Sequence, residues 1–283
     1  MKKSLIIVFL CFIVYTDSFA QINKVQYDTI NENTELIFLF PDTLNNSYLK
    51  QLRTEYELFK LIANKIEELD KVLAVLNWTH NQWEHNGSNE PSKNDALTIL
   101  KEVKEGKKFR CVEYGIVSTA VLQSLNYKAR VISLKTKNVE TTASGAGHVL
   151  EEVWITQFNK WVYIDGQFNV MPILDGIPLN AVEFQNAIAK KQNFKLINSN
   201  GEVNKKIRKK YLSFITDYLY YLNTNFDNRN LPTNELFTYQ GKKSLMLVPI
   251  GAKNPTIFQK KYPLNYLIYT NSIKDFYKAP KTM

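Results

Sequence analysis

The sequence predicts an α+β protein in which helices come first and an antiparallel sheet follows. Three patterns predict it: apolar residues three or four positions apart over 58–76, a nearly wholly apolar segment at 112–125, and short strand-like runs at 129–134, 148–155 and 161–165. Helical periodicity followed by neighbouring strands is typical of the α+β class, whereas alternating strands and helices would indicate a parallel α/β sheet.

The first 20 residues have the pattern of an export signal. Lys2 and Lys3 precede an apolar run over 5–15, and Ser18-Phe19-Ala20 has the small-x-small pattern of a cleavage site. The run is shorter than the about 20 residues that span a bilayer, and no later apolar segment approaches that length. We therefore expect a signal peptide at 1–20 that is cut after Ala20, no stable membrane insertion afterwards, and a periplasmic or secreted protein.

The first half of the remaining chain predicts one strand and two helices. Residues 34–40 are rich in Leu, Ile and Phe and stop at a Pro-Asp pair, which indicates a short buried strand. The apolar stripe within 48–80 predicts one long helix that packs against a core. After a polar loop, a second helix is expected to begin with Ser92 as its N-cap and to end at Gly106.

The net charge and the spacing of two histidines predict neither a nucleic-acid partner nor a metal site. The formal net charge of +9 is modest for 283 residues, and the basic run at 205–210 is typical of a solvated helix face, so no nucleic-acid partner is predicted. His80 and His85 are five positions apart, which turns them about 140° from each other on a helix. Zinc-binding helices place two histidines four positions apart on one face. We therefore predict no metal and no cofactor.

Cys111 is the one cysteine left once Cys11 is removed with the signal peptide. Exported domains usually pair their cysteines, so a single thiol is a buried small residue, half of an intermolecular bridge, or a reactive group. Its place at the start of an interior helix favours the third role. The helix N terminus stabilises a thiolate, and its unpaired N–H groups are suited to hold an oxyanion.

A thiol nucleophile needs a base, and of the three histidines His148 follows the cysteine at the start of a strand. Asp165 ends the returning strand. If the turn between the strands centres near Gln157, Asp165 comes almost opposite His148 and can orient its ring. A two-residue turn at 158–159 would place Asp165 opposite Glu152 instead. The first register predicts a Cys111, His148, Asp165 triad.

These residues resemble the core of the transglutaminase-like superfamily, relatives of the papain-like cysteine proteases. The matching segments are FRCVEYG at 109–115, LNYKARV at 125–131, GHVLEEV at 147–153 and KWVYID at 160–165. Their spacings of 37 residues (148 minus 111) and 17 residues (165 minus 148) are family-like. The resemblance covers about residues 70–190, and it departs from the family at Asp165-Gly166, where many relatives have Asp-Pro.

The resemblance implies a papain-like core in which a nucleophilic cysteine starts a buried helix that packs on an antiparallel sheet. It implies Cys111 as nucleophile, His148 as base and Asp165 as orienting group, in an exported, bacterial-type member of the superfamily. Residues 21–200 would then be a transglutaminase-like domain with an N-terminal helical part. A polar break at 198–201 separates this domain from an aromatic-rich C-terminal extension at 201–283.

The function predicted from these observations is hydrolysis of an amide bond through a thioester, as by a peptidase or amidase. The expected substrate is a peptide, protein or glycopeptide. Hydrolysis is favoured over cross-linking because no calcium-loop pattern occurs in the sequence. Two alternatives stay open: an inactive binding or scaffold module, and an acyltransferase or cross-linking enzyme. Four side chains are candidates to line the substrate cleft: Trp78, Trp83, His85 and Gln167. For Trp78, Trp83 and His85, ordinary core packing is the alternative and is favoured.

Overall fold

The computed structural model describes residues 24–281. The predicted signal peptide at 1–20 lies outside the described residues. Among the helices of the described part, none combines the length and the apolar character needed to cross a membrane.

Eight α-helices occur within residues 24–281: α1 Ser47–Glu55, α2 Phe59–Ile62, α3 Glu68–His80, α4 Ala96–Lys104, α5 Cys111–Ser124, α6 Ala181–Ala189, α7 Lys205–Ile215 and α8 Ile273–Phe276. Twelve strands occur in the same described range: β1 Ala129–Lys135, β2 Gly147–Ile155, β3 Lys160–Ile164, β4 Met171–Leu174, β5 Ile177–Pro178, β6 Lys195–Asn198, β7 Gly201–Glu202, β8 Tyr221–Asn225, β9 Ser244–Leu247, β10 Ile257–Phe258, β11 Tyr262–Pro263 and β12 Leu267–Thr270.

The main sheet has six strands in the order β12-β9-β8-β1-β2-β3. Its neighbours are antiparallel except β12 and β9, which run parallel. Strands β4–β7 form a smaller four-stranded sheet, and β10 and β11 form a two-stranded hairpin. This architecture, with helices before an antiparallel-rich sheet, confirms the predicted α+β class.

Both faces of the main sheet are covered, as the side chains of β3 show. Trp161 and Tyr163 lie in a core with α6 and α7, whereas Val162 and Ile164 lie in a second core with α3, α4 and α5. Successive side chains of a strand point to opposite faces, so a strand covered on both sides is apolar at nearly every position. The sheet is therefore the middle layer on which the helix that begins at Cys111 is held.

Helix α5 approaches the sheet closely at Gly115. A Cβ atom at this position would lie 2.8 Å from Cγ1 of Val149 on β2, closer than two carbons can pack. The short distance between helix and sheet thus explains why α5 has a glycine at this position. This contact sets the depth of α5 and with it the position of Cys111.

We expect Gly115→Ala to lower the free energy of unfolding by about 1–3 kcal/mol, the usual cost of overpacking a core. In a helix without such a contact, an alanine in place of glycine adds about 1 kcal/mol of stability. Gly87→Ala, at an exposed bend where the nearest atom is 3.7 Å away, is the control for a glycine with space around it. Guanidinium denaturation measures both. The double variant Gly115→Ala, Val149→Ala should lose less free energy of unfolding than the two single variants lose together. Strictly additive losses would contradict the clash.

Two predicted elements in the first half of the chain, a helix and a strand, differ from the structure. The long helix over 48–80 is wrong, because the chain breaks into α1, α2 and α3, with Glu57 in the left-handed region at φ 50°. The strand at 34–40 is also wrong. Its alternate side chains are buried, but the backbone pairs at Leu39 alone, with Asp227. Periodicity identified the buried faces and missed where hydrogen bonding stops.

The cap of α4 also differs. Asp95 is the N-cap, since its Oδ1 accepts from the N–H of Thr98 at 2.9 Å. Ser92 instead donates its hydroxyl to Glu102 at 2.5 Å.

The segment after residue 200 contributes to the main sheet. Three of the six strands, β8, β9 and β12, come from it. The predicted division into 21–200 and 201–283 stays a prediction, but residues on both sides of it build one sheet.

Candidate active site

Cys111 is the first residue of α5 and is partly exposed. Glu113 is buried and accepts the backbone N–H of Arg110 at 2.9 Å, while the guanidinium of Arg110 pairs with Glu113 Oε1 at 2.8 Å. Just upstream, the indole Nε1 of Trp83 donates to the carbonyl oxygen of Phe109 at 3.3 Å. These bonds hold the turn that leads into α5, so the thiol is presented at a defined helix start.

The register of β2 and β3 decides where Asp165 lies. Glu151 pairs with Ile164, and the strands join through residues 156–159. One step further along this register brings Asp165 diagonally opposite His148, on the same face of the sheet. The alternative two-residue turn, which would have placed Asp165 against Glu152, is not formed. His148 Nε2 donates to Asp165 Oδ2 at 2.8 Å, and both side chains are buried.

Cys111, the third predicted member of the triad, approaches this pair from the start of α5. The Cys111 sulfur is close enough to the imidazole of His148 to act on its pKa, and both residues line one cavity of about 260 Å³. Because Nε2 is bonded to Asp165, Nδ1 is the ring nitrogen left for the sulfur. Burial by itself would lower the pKa of His148, but Asp165 and then Cys111 raise it to about 10. The arrangement therefore favours a protonated imidazole beside the sulfur at neutral pH.

Asp165 is held by two further donors besides the histidine ring. The hydroxyl of Tyr211 donates to Oδ2 at 2.9 Å, and the N–H of Phe168 donates to Oδ1 at 3.2 Å. Tyr211 also shares a short hydrogen bond with the hydroxyl of Tyr163. Burial, followed by the charge of Asp165, raises the pKa of Tyr211 well above its ordinary value, so it stays a neutral donor. The carboxylate is thus locked in one orientation.

Glu151 lies on the opposite side of β2 from His148 and close to Asp165. It is fully buried, and burial followed by the charge of Asp165 raises its pKa well above the ordinary value. Its Oε2 accepts the N–H of Gly166 at 3.2 Å. A neutral carboxyl at this point adds no second negative charge beside Asp165 and fixes the backbone that follows it.

Aromatic side chains from α7 and its following turn enclose His148. The ring of Phe214 meets the imidazole edge-on at 5.1 Å, and that of Tyr218 lies 6.0 Å away. The Tyr218 hydroxyl donates to the carbonyl of Gly145 at 2.9 Å, which ties the loop before β2. Burial, then the Cys111 sulfur, raises the pKa of Tyr218. Sequence reasoning noticed the tyrosine-rich C-terminal part but assigned none of these residues to the site.

The four predicted cleft residues separate into two groups. Trp83, His85 and Gln167 line a second cavity, of about 840 Å³, which also includes Phe214, one of the rings packed against His148. Partial burial, then the charge of His148, lowers the pKa of His85. Gln167 Oε1 is buried there without a hydrogen-bond partner among the described residues. The structure places Trp78 elsewhere, in the helical core with its ring 6.1 Å from that of Tyr56.

Comparisons with known proteins agree with the resemblance found in the sequence. Residues 58–166 match the transglutaminase-like superfamily. No curated protein shows significant sequence similarity to the chain.

Several solved structures resemble it weakly. A candidate cysteine protease from Cytophaga hutchinsonii is 19% identical with a TM-score of 0.35, over 50% of this chain and 46% of its own. A TGase is 21% identical with a TM-score of 0.30, over 44% and 31%. A candidate protease from Parabacteroides distasonis is 15% identical with a TM-score of 0.30, over 56% and 29%. The chain spans less than half of each of these proteins.

Proposed function

We propose that this chain, whose residues 58–166 match the transglutaminase-like superfamily, is a thiol enzyme that cleaves an amide bond through a thioester on Cys111. The observation that supports it most is that buried Asp165 bonds the ring of buried His148, and that this ring lies beside the thiol at the start of α5. A carboxylate, an imidazole and a thiol in this order are what acyl transfer by a cysteine requires.

The first half of the reaction forms the acyl-enzyme. The Cys111 thiolate attacks the amide carbonyl carbon, a C–S bond forms, and the carbonyl oxygen becomes an oxyanion. Backbone N–H groups in the first turn of α5 have no partner within the helix and point toward this charge. The His148 imidazolium then gives its proton to the leaving nitrogen, the C–N bond breaks and the amine departs.

The second half returns the free enzyme. The now neutral His148 takes a proton from water, whose oxygen attacks the thioester carbonyl. The C–S bond breaks, the carboxylic acid product leaves, and the thiolate and imidazolium pair is restored. Asp165, itself held by Tyr211, keeps the ring in the orientation that both proton transfers need. Hydrolysis is proposed over transfer to an amine because the sequence has no calcium-loop pattern.

The substrate and location are part of the proposal. A partly exposed thiol at the edge of a cavity of about 260 Å³ suits a substrate that places one group in the cavity and its amide bond at the sulfur. A peptide, protein or glycopeptide in the periplasm or outside the cell is the substrate we propose, in keeping with the export pattern at 1–20.

Alkylation of Cys111 by iodoacetamide at pH 6 tests the proposal without knowledge of the substrate. An unactivated thiol with a pKa near 8.5 is ionised to less than about 1% at pH 6, so an imidazolium-stabilised thiolate should react about 100-fold faster. We expect His148→Ala to remove this excess rate. Peptide mass spectrometry assigns the label to Cys111, and Cys111→Ala is the control for labelling elsewhere. A wild-type rate equal to that of an unactivated thiol would favour the inactive binding or scaffold module.

A further inference from the structure

The smaller cavity beside the thiol is bounded by the ends of β1 and β2 and by the β10–β11 hairpin. Besides Cys111 and His148, its lining includes Lys135, Phe258 and Tyr262. The hairpin fits closely: a Cβ atom on Gly147 would lie 3.0 Å from the Phe258 ring. At about 260 Å³ the cavity is smaller than most ligand pockets, which hold about 300–1,000 Å³. It suits one residue-sized group of a substrate.

Lys135 is the unusual residue of this cavity. It is 5% exposed, and its amine donates a short hydrogen bond to Asn223 Oδ1 and lies 5.9 Å from the centre of the Phe258 ring. None of the described carboxylates forms an ion pair with it, and neither Asp nor Glu occurs among the residues that line the cavity.

A buried amine without a counter-charge is costly, and buried lysines are ordinarily paired. Burial lowers the pKa of Lys135 to about 7, which reflects the missing partner. A ligand with a negative charge would supply that partner and make a charge-assisted hydrogen bond in a place with little water. A ligand ammonium would place two positive charges side by side, and a neutral apolar group would leave the amine without a counter-charge.

We propose that Lys135 binds a carboxylate of the substrate, so that the enzyme selects amide bonds that lie next to an acidic side chain or a free carboxyl terminus. The proposal rests on the proposed thiol chemistry, because the cavity matters through its position at Cys111. Lys135 is then a specificity residue and takes no part in the proton transfers.

Two reagents that differ by one charge test this proposal. Iodoacetate and iodoacetamide alkylate the same sulfur, but iodoacetate carries the carboxylate that Lys135 would bind. The quantity measured is the ratio of their rate constants at Cys111. A charge-assisted hydrogen bond is worth about 1.5–3 kcal/mol, so we expect Lys135→Met to lower the ratio about tenfold or more. His148, which also attracts an anion, is present in both proteins and cancels in the comparison.

Two further variants sharpen the test. Lys137→Met removes an exposed lysine two positions away and should leave the ratio unchanged. Lys135→Gln keeps a hydrogen-bond donor for Asn223 while it removes the charge, so it should lower the ratio like Lys135→Met and serves if the methionine variant fails to fold.

The outcomes separate this proposal from the proposed function. Fast alkylation by iodoacetamide with an unchanged ratio in both Lys135 variants would overturn carboxylate binding and leave the thiol enzyme in place. Slow alkylation by iodoacetamide in the wild type would overturn the thiol enzyme. The ratio is read in that case too, at the same pH of 6 over a longer reaction time, and still decides whether Lys135 binds a carboxylate.

Discussion

Replacing Asp165 by asparagine is expected to slow acylation of Cys111 about 10⁴-fold, the order found when the carboxylate of a catalytic triad is lost. The carboxylate accepts from three donors: the His148 ring, the Tyr211 hydroxyl and the Phe168 N–H. An amide has one acceptor oxygen, and its NH₂ group would face one of these donors. The buried ring would lose both its orientation and the charge that stabilises its protonated form.

The pH dependence follows from the same contact. Asp165 is the largest of the contributions that raise the pKa of His148 to about 10. Without it the imidazolium loses its proton at lower pH, so the thiolate loses its partner in the neutral range. We expect the fast alkylation of the wild type at pH 6 to disappear in Asp165→Asn and to return as the pH approaches about 8.5, where an ordinary thiol ionises.

Single-turnover acylation by p-nitrophenyl acetate, followed by mass spectrometry of the acyl adduct, measures the effect. Asp175→Asn changes an exposed aspartate ten positions along the chain and should react like the wild type. Equal rates for Asp165→Asn and the wild type would contradict the orienting role.

The largest loss of stability is expected for Glu152→Ala, about 3–5 kcal/mol, because it leaves a buried charge without a partner. Glu152 and Arg130 are both 0% exposed, and Glu152 Oε2 accepts from Arg130 Nη2 at 2.7 Å. The other carboxylate oxygen accepts from the N–H of Ala181 at 3.1 Å and from the hydroxyl of Tyr277 at 3.0 Å. One carboxylate therefore joins β1, α6 and the C-terminal end of the chain.

Guanidinium denaturation compares this variant with Glu202→Ala, which removes one partner of an exposed ion pair with Lys195. Exposed pairs contribute about 0–1 kcal/mol, so the control should stay close to the wild type. Glu152→Gln keeps acceptor and shape and should lose less than Glu152→Ala. A loss below about 1 kcal/mol in Glu152→Ala would show that water reaches Arg130 and that the pair is not truly buried.

Sequence reasoning located most elements of the region around the site. The apolar helix that begins at Cys111 and the strands β1, β2 and β3 lie where their periodicity placed them. The weakest inference was the register of β2 and β3, which depended on a turn of unknown length. The four-residue connection, with Asn159 in the left-handed region at φ 50°, resolved it. Turn geometry at one residue thus decided whether Asp165 could reach His148.

The sequence by itself determined the α+β class, the interior helix headed by a thiol, and the order in which cysteine, histidine and aspartate follow one another. Only the tertiary structure showed that Tyr211 bonds Asp165 from 46 positions away and that Phe258 closes a cavity over Lys135. The physical reason is that periodicity records which face of an element is buried. It does not record which distant residue covers that face, and the partners of Asp165 and Lys135 are set by such contacts.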